Sequence, residues 1–422
     1  MFQMSTMDAT ATVVDDTAAP EPKSAPVSTA QRIETLDMLR GFAVLGILAV
    51  NAMSFVWPFG VEGSTNAAPF EQGGANQIVT WAVNVLFHNK CRTLFSMLFG
   101  VSIFLVGGEF GDKARGALLR RRLFFLAIFG LIHGLAIWFG DILLLYAWSG
   151  LFMMFARSWS VKRLMWIGFG LVAAFSALTI GMEVFGSLEV TSTSDWNKAV
   201  AEQRVGILKT IETVRSGWLP AMTENLENWV QLQMPSVLIY VFPTVGLMML
   251  GLGLFKSGYL AGRASDRTYA IMLALGVAIG VVLGVFDWVV VEPGRSPTWA
   301  SLGSGIVGEL APFMTLAWAA LLILMTRHGL GFVSRRLVPV GRMAFTNYLS
   351  QSIIMASLFY MPWGPHLYAR VDPGPLFAIV VGIWLLQLVW SPLWLSRFEM
   401  GPLEWIWRCL TYGRMVPLMK RG

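Results

Sequence analysis

The sequence predicts an all-α integral membrane protein, a polytopic bundle of about ten transmembrane helices with both termini in the cytoplasm. Hydrophobic residues make up 55% of the 422 positions and charged residues only 13%, against about a quarter charged in a typical soluble domain. Apolar runs of roughly 20 residues, the length that crosses the hydrocarbon core of a bilayer, recur along the chain. Lysine and arginine are concentrated in every second segment between these runs, and this bias orients the bundle.

Ten spans follow from the apolar runs, in chain order. They lie near residues 38–57, 78–108, 123–139, 142–157, 164–186, 236–255, 269–291, 305–326, 343–360 and 375–396. The second is long and contains Lys90 and Arg92, and the third and fourth form a short hairpin. Small residues such as Gly130 and Gly134 let helices approach closely. Faces of this kind would also allow a homodimer.

Basic residues mark the cytoplasmic side, because short inner loops of membrane proteins are enriched in lysine and arginine. With the N-terminus inside, the outer segments hold only Lys198, Arg204, Lys209, Arg215, Arg295 and Arg370. The inner segments hold most of the others, among them Arg40, Arg115, the run Arg120, Arg121 and Arg122, Arg342 and Arg408. This bias predicts a multi-pass protein of the plasma or inner membrane.

The bundle occupies residues 32–413 between two tails. Residues 1–31 lack the basic-then-apolar order of a signal peptide and predict a disordered cytoplasmic tail, and residues 414–422 form a basic cytoplasmic tail. Within the bundle, the outer segment 187–234 carries apolar residues at helical spacing: Trp196, Val200, Leu208, Ile211 and Trp218. This pattern predicts an amphipathic helix, either covering a cavity or resting on the lipid headgroups.

Several partner classes are disfavoured. The net charge is +6, but the basic residues sit at helix ends and not in an aromatic-interleaved patch, so membrane lipids and not nucleic acid are the expected surroundings. Cys91 and Cys409 lie at different predicted depths, and no Cys/His cluster has metal-ligand spacing, so neither a disulfide nor a metal is expected.

Polar residues inside the first span are the first functional candidates, because such residues are expensive in lipid. Asp37 and Arg40 are close enough to pair on one helix face. Asn51 follows Arg40 by eleven residues, about 16 Å along a helix. Arg40 can equally cap the cytoplasmic end by snorkelling, and Asn51 can equally join helices by hydrogen bonding.

His88, Lys90 and Arg92 place cations within the second span. If the helix is continuous, these charges must face an anion, a carboxylate or water; if it breaks, they belong to a re-entrant segment. Both alternatives predict a polar cavity. Asp287 and Glu309, near the outer ends of their spans, either line an entrance or face water.

The hairpin carries His133, about 10 Å beneath the outer surface by helical rise and at a depth similar to that of Asn51. Asp141 lies at its outer turn, eight residues later. That separation is about 12 Å along a helix, so no direct hydrogen bond between the two is expected unless the turn folds back. His133 acts either as a base or donor, or as a structural imidazole.

Five ordered blocks resemble the YeiB family of bacterial membrane proteins, the DUF418 group. They are LDMLRGFAVLGILAVN (36–51), RTLFSMLFG (92–100), FGLIHGLAIWFGDILLLYAWSGL (129–151), GRMAFTNYLSQS (341–352) and GPLEWIWRCLTYG (401–413). Together they run from the first span to the C-terminal region. The resemblance covers nearly everything except the N-terminal tail and the outer segment.

The resemblance implies a link to a wider group of transmembrane acyltransferases, which includes the acyltransferase-3 proteins and the lysosomal heparan glucosaminide acetyltransferase. These move an acyl group from cytoplasmic acyl-CoA to an acceptor, often a sugar, on the other side. Acyltransferase-3 proteins carry an Arg, ten residues and a His in the first helix, whereas here Arg40 is followed at that spacing by Asn51. The glucosaminide enzyme resembles the Arg-to-Asn pattern but has a histidine just downstream, where this chain has Glu62 and Gly63.

The functional hypothesis is therefore acyl transfer from acyl-CoA, such as acetyl-CoA, to a sugar or a lipid-linked acceptor. His133 is the expected base, with Asp141 beside it in the catalytic set, and Asn51 or Lys90 donates to the developing oxyanion. The expected acyl-CoA-binding cations are Arg40, Lys90, Arg92, Arg120, Arg121 and Arg122. The alternatives are a permease for a small anionic or hydrophobic solute that uses a Lys90/Arg92 cavity, and a scaffold.

Overall fold

The structure, a computed structural model, describes residues 34–61, 67–71, 73–189, 193–290 and 298–420. The predicted tail 1–31 lies outside these residues. The described chain forms these α-helices: α1 Glu34–Val56, α2 Gly74–Leu86, α3 Lys90–Gly107, α4 Lys113–Ala136, α5 Leu143–Ala156, α6 Val161–Glu189, α7 Thr193–Arg215, α8 Trp218–Pro235, α9 Val241–Lys256, α10 Asp266–Val290, α11 Thr298–Gly308, α12 Ala311–Arg327, α13 Gly331–Arg342, α14 Ala344–Phe359, α15 Pro373–Arg397 and α16 Pro402–Tyr412. One isolated antiparallel bridge joins Phe398 to Met419.

Six helical stretches in the described ranges are long and apolar enough to cross a membrane. They are Glu34–Val56, Gly74–Gly107, Val161–Phe185, Trp218–Lys256, Asp266–Val290 and Pro373–Arg397, and the bent pair Trp299–Gly308 and Ala311–Arg327, at 55°, makes a seventh if it is one span. The predicted all-α, membrane-type fold is confirmed at this level. The other three predicted spans fall on α4, which begins with a basic cluster, and on α5 and α14, which have only 14 and 16 residues. The count of ten stays a prediction.

The predicted second span is broken. α2 ends at Leu86 and α3 begins at Lys90, with Asn89 between them in the left-handed region at φ 60°. The amide of His88 bonds the carbonyl of Val83 instead of that of Asn84, and the Lys90 ammonium donates to the Asn84 carbonyl at 2.9 Å. The lysine therefore satisfies a carbonyl that the break released, as buried irregular backbone requires.

α1 lies at the centre of the bundle and packs closely on α13. A side chain at Gly41 would meet the carbonyl of Leu337, and one at Gly341 would meet the carbonyl of Asp37. The two helix backbones are therefore in contact, which only glycine permits. This crossing brings the start of α1, with Asp37 and Arg40, beside the end of α13.

Within 187–234, the described residues include the end of α6, all of α7 and most of α8, and Trp218 begins α8 instead of continuing one amphipathic helix. On α7 the buried residues are Ile207, Ile211 and Val214, whereas Leu208 is 48% exposed. The apolar face therefore differs at Leu208 from the predicted one, and the Trp196 side chain lies outside the described part of the chain.

α8 packs over the hairpin formed by α4 and α5. Asn225 donates to the carbonyl of Gly134 at 2.9 Å, and Gln233 donates to the carbonyl of Asp141 at 3.1 Å. These bonds supply partners to one carbonyl in the last turn of α4 and to one between α4 and α5, where backbone groups lack helical partners. The hairpin is thus held in place by α8.

Buried amides connect α14 with α15. Gln387 Nε2 donates to the carbonyl of Asn347 at 2.9 Å, and Gln351 Nε2 donates to Gln387 Oε1 at 2.8 Å. The Asn347 amide oxygen accepts from Trp390 Nε1 at 2.9 Å, and its amide nitrogen reaches Ser391 Oγ at 3.1 Å. Every member is buried or half-buried, so this network fixes the pairing of the two helices.

Candidate functional site

A cavity of about 280 Å³ lies among α1, α3, α4, α5, α13, α14 and α16. We call it the basic cavity, because five arginines line it: Arg40, Arg115, Arg122, Arg342 and Arg408. Two acidic residues, Asp37 and Glu404, also line it. Its remaining wall is mostly apolar, from residues such as Leu119, Leu123 and Leu126. A cavity lined by several cations and by an apolar wall suits an anionic molecule with an apolar arm.

Arg40 makes the predicted pair with Asp37. Its Nη1 lies 2.5 Å from Asp37 Oδ1, and its Nη2 donates to Ser102 Oγ at 3.3 Å. The arginine is 23% exposed, so the pair sits in the cavity wall and not on the open surface. The carboxylate and the hydroxyl hold the guanidinium in one orientation.

The run Arg120-Arg121-Arg122 contributes one residue to the cavity. Arg122 lines it, with its guanidinium 4.0 Å from the ring centre of Trp407. Arg120 and Arg121 are exposed and do not line it. Consecutive helical residues point about 100° apart, so one of three neighbours can face a given site. Arg115, seven residues before Arg122, shares its face.

The sequence reasoning did not assign a role to Arg115, Arg342 or Arg408. The heptad spacing from Arg115 to Arg122 was a usable signal. Arg342 and Arg408 reach the cavity from α13 and α16, which are distant in sequence, so only the fold brings them in. Both lie in blocks that carry the family resemblance, 341–352 and 401–413.

Glu404 fixes the start of α14 at the cavity wall. Its carboxylate accepts hydrogen bonds from the amides of Phe345 at 2.8 Å and Thr346 at 3.1 Å, and from Thr346 Oγ1 at 2.5 Å. A carboxylate suits a helix N-terminus because its unpaired amides point outward. Burial raises the pKa of Glu404 above its ordinary value, although these hydrogen bonds act in the opposite direction.

The basic cavity reaches two tyrosines, Tyr146 and Tyr348. The Tyr146 hydroxyl bonds Ser96 Oγ at 2.9 Å. The Tyr348 ring lies 5.3 Å from the imidazole of His133, between centres, and its hydroxyl has no hydrogen-bond partner among the described residues. Tyr348 therefore stands between the cavity and His133, which does not itself line the cavity.

His133 and Asp141 are in direct contact. Nδ1 of the imidazole lies 2.9 Å from Oδ1 of the carboxylate, and the two side chains are 1% and 0% exposed. The turn folds back, which is the case in which the sequence allowed a direct bond, because α4 ends at Ala136 and does not continue for the roughly 12 Å of a helix to Asp141. The amides of Ile137 and Trp138 both turn back to the carbonyl of His133, and the chain then reverses before α5.

Asp141 also caps α5. Its Oδ1 accepts from the amide of Leu143 at 3.1 Å, and its Oδ2 accepts from the amide of Leu144 at 2.8 Å. Since both oxygens accept from backbone amides, the proton of the third bond belongs to His133 Nδ1. In the neutral imidazole this tautomer carries its lone pair on Nε2, which is buried without a partner among the described residues.

Gly130 makes this arrangement possible. A side chain there would lie 2.6 Å from the amide nitrogen of Leu144 and 2.8 Å from Asp141 Oδ2. The backbone of α4 therefore passes directly over the start of α5. The close approach predicted at Gly130 therefore occurs beside Asp141, whose carboxylate bonds His133.

Asn51 lies on the face of α1 that lines the basic cavity. Arg40, Val44 and Ile47 line the cavity at helical spacing, and Asn51 is one turn further along. It is half-buried and not itself a lining residue. One more turn leads to Phe55, whose ring stacks on that of Trp138 near His133.

The other predicted cations lie elsewhere. Lys90 lines a second cavity of about 460 Å³, together with Asp287, Glu183 and Glu309. We call it the mixed-charge cavity. No described residue lines both cavities. Arg92 lines neither, and its guanidinium reaches the Asn89 side chain at 3.3 Å. The structure thus brings Arg40 and Arg122 together, and it separates Lys90 from them and from His133.

Comparison with known proteins places the chain among bacterial relatives of similar length. Over 412 residues it is 30% identical to the uncharacterised protein YxaH of Bacillus subtilis, covering 94% of this chain and 98% of that one. It is also 30% identical to the uncharacterised protein YeiB of Escherichia coli, over 93% of this chain and 99% of the relative. A 39.9 kDa protein from the amylase 3′ region of Bacillus acidopullulyticus is 25% identical over 93% of this chain. No solved structure matches.

The family model "Protein of unknown function (DUF418)" matches residues 254–414. This part contains Arg342, Tyr348, Glu404 and Arg408 of the basic cavity, whereas the relatives extend the match over the hairpin and its His133–Asp141 pair. The chain belongs to the DUF418 family, together with YxaH and YeiB.

Proposed function

We propose that the protein is a membrane-embedded acyltransferase that takes an acyl group from cytoplasmic acyl-CoA and passes it to an acceptor at the outer side. The observation that carries the proposal is the buried hydrogen bond from His133 to Asp141, with Tyr348 between this pair and the basic cavity. A base held by a carboxylate near a cavity for an anionic donor is the arrangement that acyl transfer needs.

The basic cavity suits the donor. Guanidinium groups bind phosphate oxygens in bidentate geometry, and the apolar wall of Leu119, Leu123 and Leu126 suits the acyl arm. Acetyl-CoA is the donor that we propose first. The five arginines all lie in segments that the charge distribution assigns to the inner side, which fits a donor arriving from the cytoplasm.

His133 would act as the general base. Nε2 takes the proton of an acceptor hydroxyl or amine while the acceptor oxygen or nitrogen bonds to the thioester carbon. The carbon–sulfur bond then breaks, and the proton passes from the imidazole to the departing thiolate of CoA. Asp141 keeps the imidazole in the correct tautomer and stabilises its protonated form.

The oxyanion that forms on the thioester carbonyl requires donors. The Tyr348 hydroxyl is the first candidate, since its ring lies 5.3 Å from the imidazole and the hydroxyl is buried without a partner among the described residues. Asn51 is the second, because it continues the cavity-lining face of α1. A sugar or a lipid-linked molecule presenting a hydroxyl or amine is the acceptor class that this chemistry requires.

The proposal also fixes a topology. It places ten spans in the plasma or inner membrane, with α4, α5 and α14 crossing as well as the longer helices, and with both termini inside. The basic cavity then opens toward the cytoplasm, and His133 lies deeper, toward the outer side.

Labelled acetyl-CoA supplied to proteoliposomes with a mixture of lipid and sugar acceptors tests the proposal. We expect the His133→Ala variant to lose label transfer by roughly 100-fold or more, the usual contribution of a general base. His328→Ala is the matched control, because this histidine is exposed and pairs only with Asp266 among the described residues. Undiminished transfer by His133→Ala would remove this residue from the mechanism.

Transport of a small anionic or hydrophobic solute is the alternative, and one observation favours it. Lys90 lies in the mixed-charge cavity, separate from the arginines, and buried charges of this kind often mark solute pathways. Thermal stability separates the two functions, since a ligand that binds the folded state raises Tm by mass action. No stabilisation by millimolar CoA or acetyl-CoA would favour transport.

A further inference from the structure

The mixed-charge cavity contains two opposite charges that do not pair with each other. Lys90 and Asp287 both line it and are 3% and 6% exposed, yet they form no ion pair within the described chain. Burying a charge in a membrane bundle is costly unless it is paired or hydrogen-bonded. The cavity that these two groups share can therefore hold a molecule that pairs with both of them.

Each of the two charges keeps hydrogen-bonding capacity in reserve. The Lys90 ammonium has three N–H donors, and it has one described acceptor, the carbonyl of Asn84. Asp287 Oδ1 accepts from Ser304 Oγ at 2.8 Å. Its Oδ2 is buried and accepts no hydrogen bond among the described residues, although the Asn84 side chain lies near the carboxylate. An occupant that offers an acceptor to Lys90 and a donor to Asp287 would complete both groups.

The other two charged residues that line the cavity, Glu183 and Glu309, are acidic. Glu309 accepts hydrogen bonds from Ser176 at 2.6 Å and Thr179 at 2.8 Å, and Glu183 follows Thr179 by one turn of α6. Three carboxylates and one ammonium thus line this cavity, whose remaining wall is mostly apolar. The excess of negative charge means that the donor presented to Asp287 is best supplied by a cation.

We propose that the mixed-charge cavity binds a small zwitterion, with its protonated amine toward Asp287 and its anionic group toward Lys90. A free metabolite or the headgroup of a zwitterionic lipid can carry this chemistry. The proposal does not depend on acyl transfer, because the cavity shares no described lining residue with the basic cavity.

Thermal unfolding of the purified protein in detergent tests this binding. The probes are phosphoethanolamine and β-alanine, which are zwitterions, and ethanolamine and ethyl phosphate, each of which carries charge of one sign only. We expect at least one zwitterion to raise Tm more than ethanolamine or ethyl phosphate does at the same millimolar concentration. Phosphocholine, which lacks N–H donors, should stabilise less than phosphoethanolamine.

Two variants connect the effect to the proposed residues. Asp287→Asn should weaken zwitterion binding about tenfold or more, since a charge-assisted hydrogen bond is lost. In this variant the zwitterion should raise Tm no more than ethyl phosphate does. In Lys90→Gln the zwitterion should raise Tm no more than ethanolamine does. Asp266→Asn, on the same helix but half-exposed, is the matched control and should bind normally. Equal stabilisation in the wild type and in Asp287→Asn would overturn the proposal, as would no stabilisation by either zwitterion.

Nanodiscs distinguish the two sources of the ligand. If the ligand is a lipid headgroup, phosphatidylethanolamine should raise Tm relative to phosphatidylcholine in the wild type and not in Asp287→Asn. If it is a free molecule, the soluble zwitterion should stabilise the protein equally in both lipids. Loss of acyl transfer in His133→Ala with zwitterion binding intact would show that the two sites are separate.

Discussion

At the scale of single residues, the behaviour of His133 depends on what its two ring nitrogens contact. Nδ1 donates to Asp141, which also accepts hydrogen bonds from two backbone amides. This nitrogen therefore already has its hydrogen-bond partner. Nε2 is buried without a described partner. A purely structural histidine would be expected to use both nitrogens, because an unsatisfied buried group costs about 1–3 kcal/mol. The unused nitrogen is therefore the group on which we place the chemistry.

The neighbouring residues Arg121 and Arg122 provide a matched pair for testing the donor site. Both lie on α4, but Arg122 lines the basic cavity and Arg121 is exposed. We expect Arg122→Gln to weaken the stabilisation by CoA, with an apparent Kd about 10- to 100-fold higher, because a phosphate contact of roughly 1.5–3 kcal/mol is lost. The readout is Tm against CoA concentration.

Arg121→Gln removes the same charge from the same helix, so it controls for general electrostatic attraction. It should shift the CoA dependence little, and less at high salt, where exposed charges are screened. Equal weakening in both variants would indicate attraction by the basic surface alone and would argue against a specific cavity site.

At the scale of elements, the amide network between α14 and α15 is a stability determinant. Gln387 donates to Asn347 and accepts from Gln351, and all three side chains are buried. We expect Gln387→Leu to lower the free energy of unfolding by about 1–3 kcal/mol, because it leaves the partners' polar groups unsatisfied. Chemical denaturation in detergent measures this loss.

A double-mutant cycle separates the hydrogen bond from simple packing. The pair Gln351→Leu and Gln387→Leu should cost less than the sum of the two single variants, since the second replacement removes a group that the first had stranded. Strict additivity would mean that the two amides do not interact in the folded protein.

Element positions were largely predictable from the sequence, because apolar periodicity and length determine where a helix can span a bilayer. The broken second span illustrates the limit. His88, Lys90 and Arg92 indicated a polar cavity whether or not the helix is continuous. The break itself depends on the left-handed backbone of Asn89 and on the hydrogen bond from Lys90 to the carbonyl of Asn84. Such details arise from packing, which a single sequence does not encode locally.

The candidate site was predictable in its residue types and less so in its geometry. His133, Asp141 and Arg40 were identified because polar groups in apolar spans stand out. Their grouping depends on the reversal after α4 and on contacts from α13 and α16, which are distant in sequence. For the same reason, Lys90 was assigned with the arginines although it lines another cavity.

At the scale of the whole molecule, the proposed topology makes the two faces of the bundle chemically distinct. In that topology the basic cavity belongs to the inner side, and the segment containing α7 belongs to the outer side. Two exposed residues test this assignment: Arg121, predicted inside, and Lys198, whose side chain is 76% exposed and which is predicted outside.

Single cysteines at these positions report the orientation directly. The background carries Cys91→Ala and Cys409→Ser, which remove a buried and a half-buried thiol. A membrane-impermeant maleimide added to intact cells, or to spheroplasts where an outer membrane is present, should label Lys198→Cys. It should label Arg121→Cys only after the membrane is permeabilised, because the positive-inside bias places α4 with its basic end in the cytoplasm. The opposite pattern would invert the topology and would place the basic cavity beyond the reach of cytoplasmic acyl-CoA.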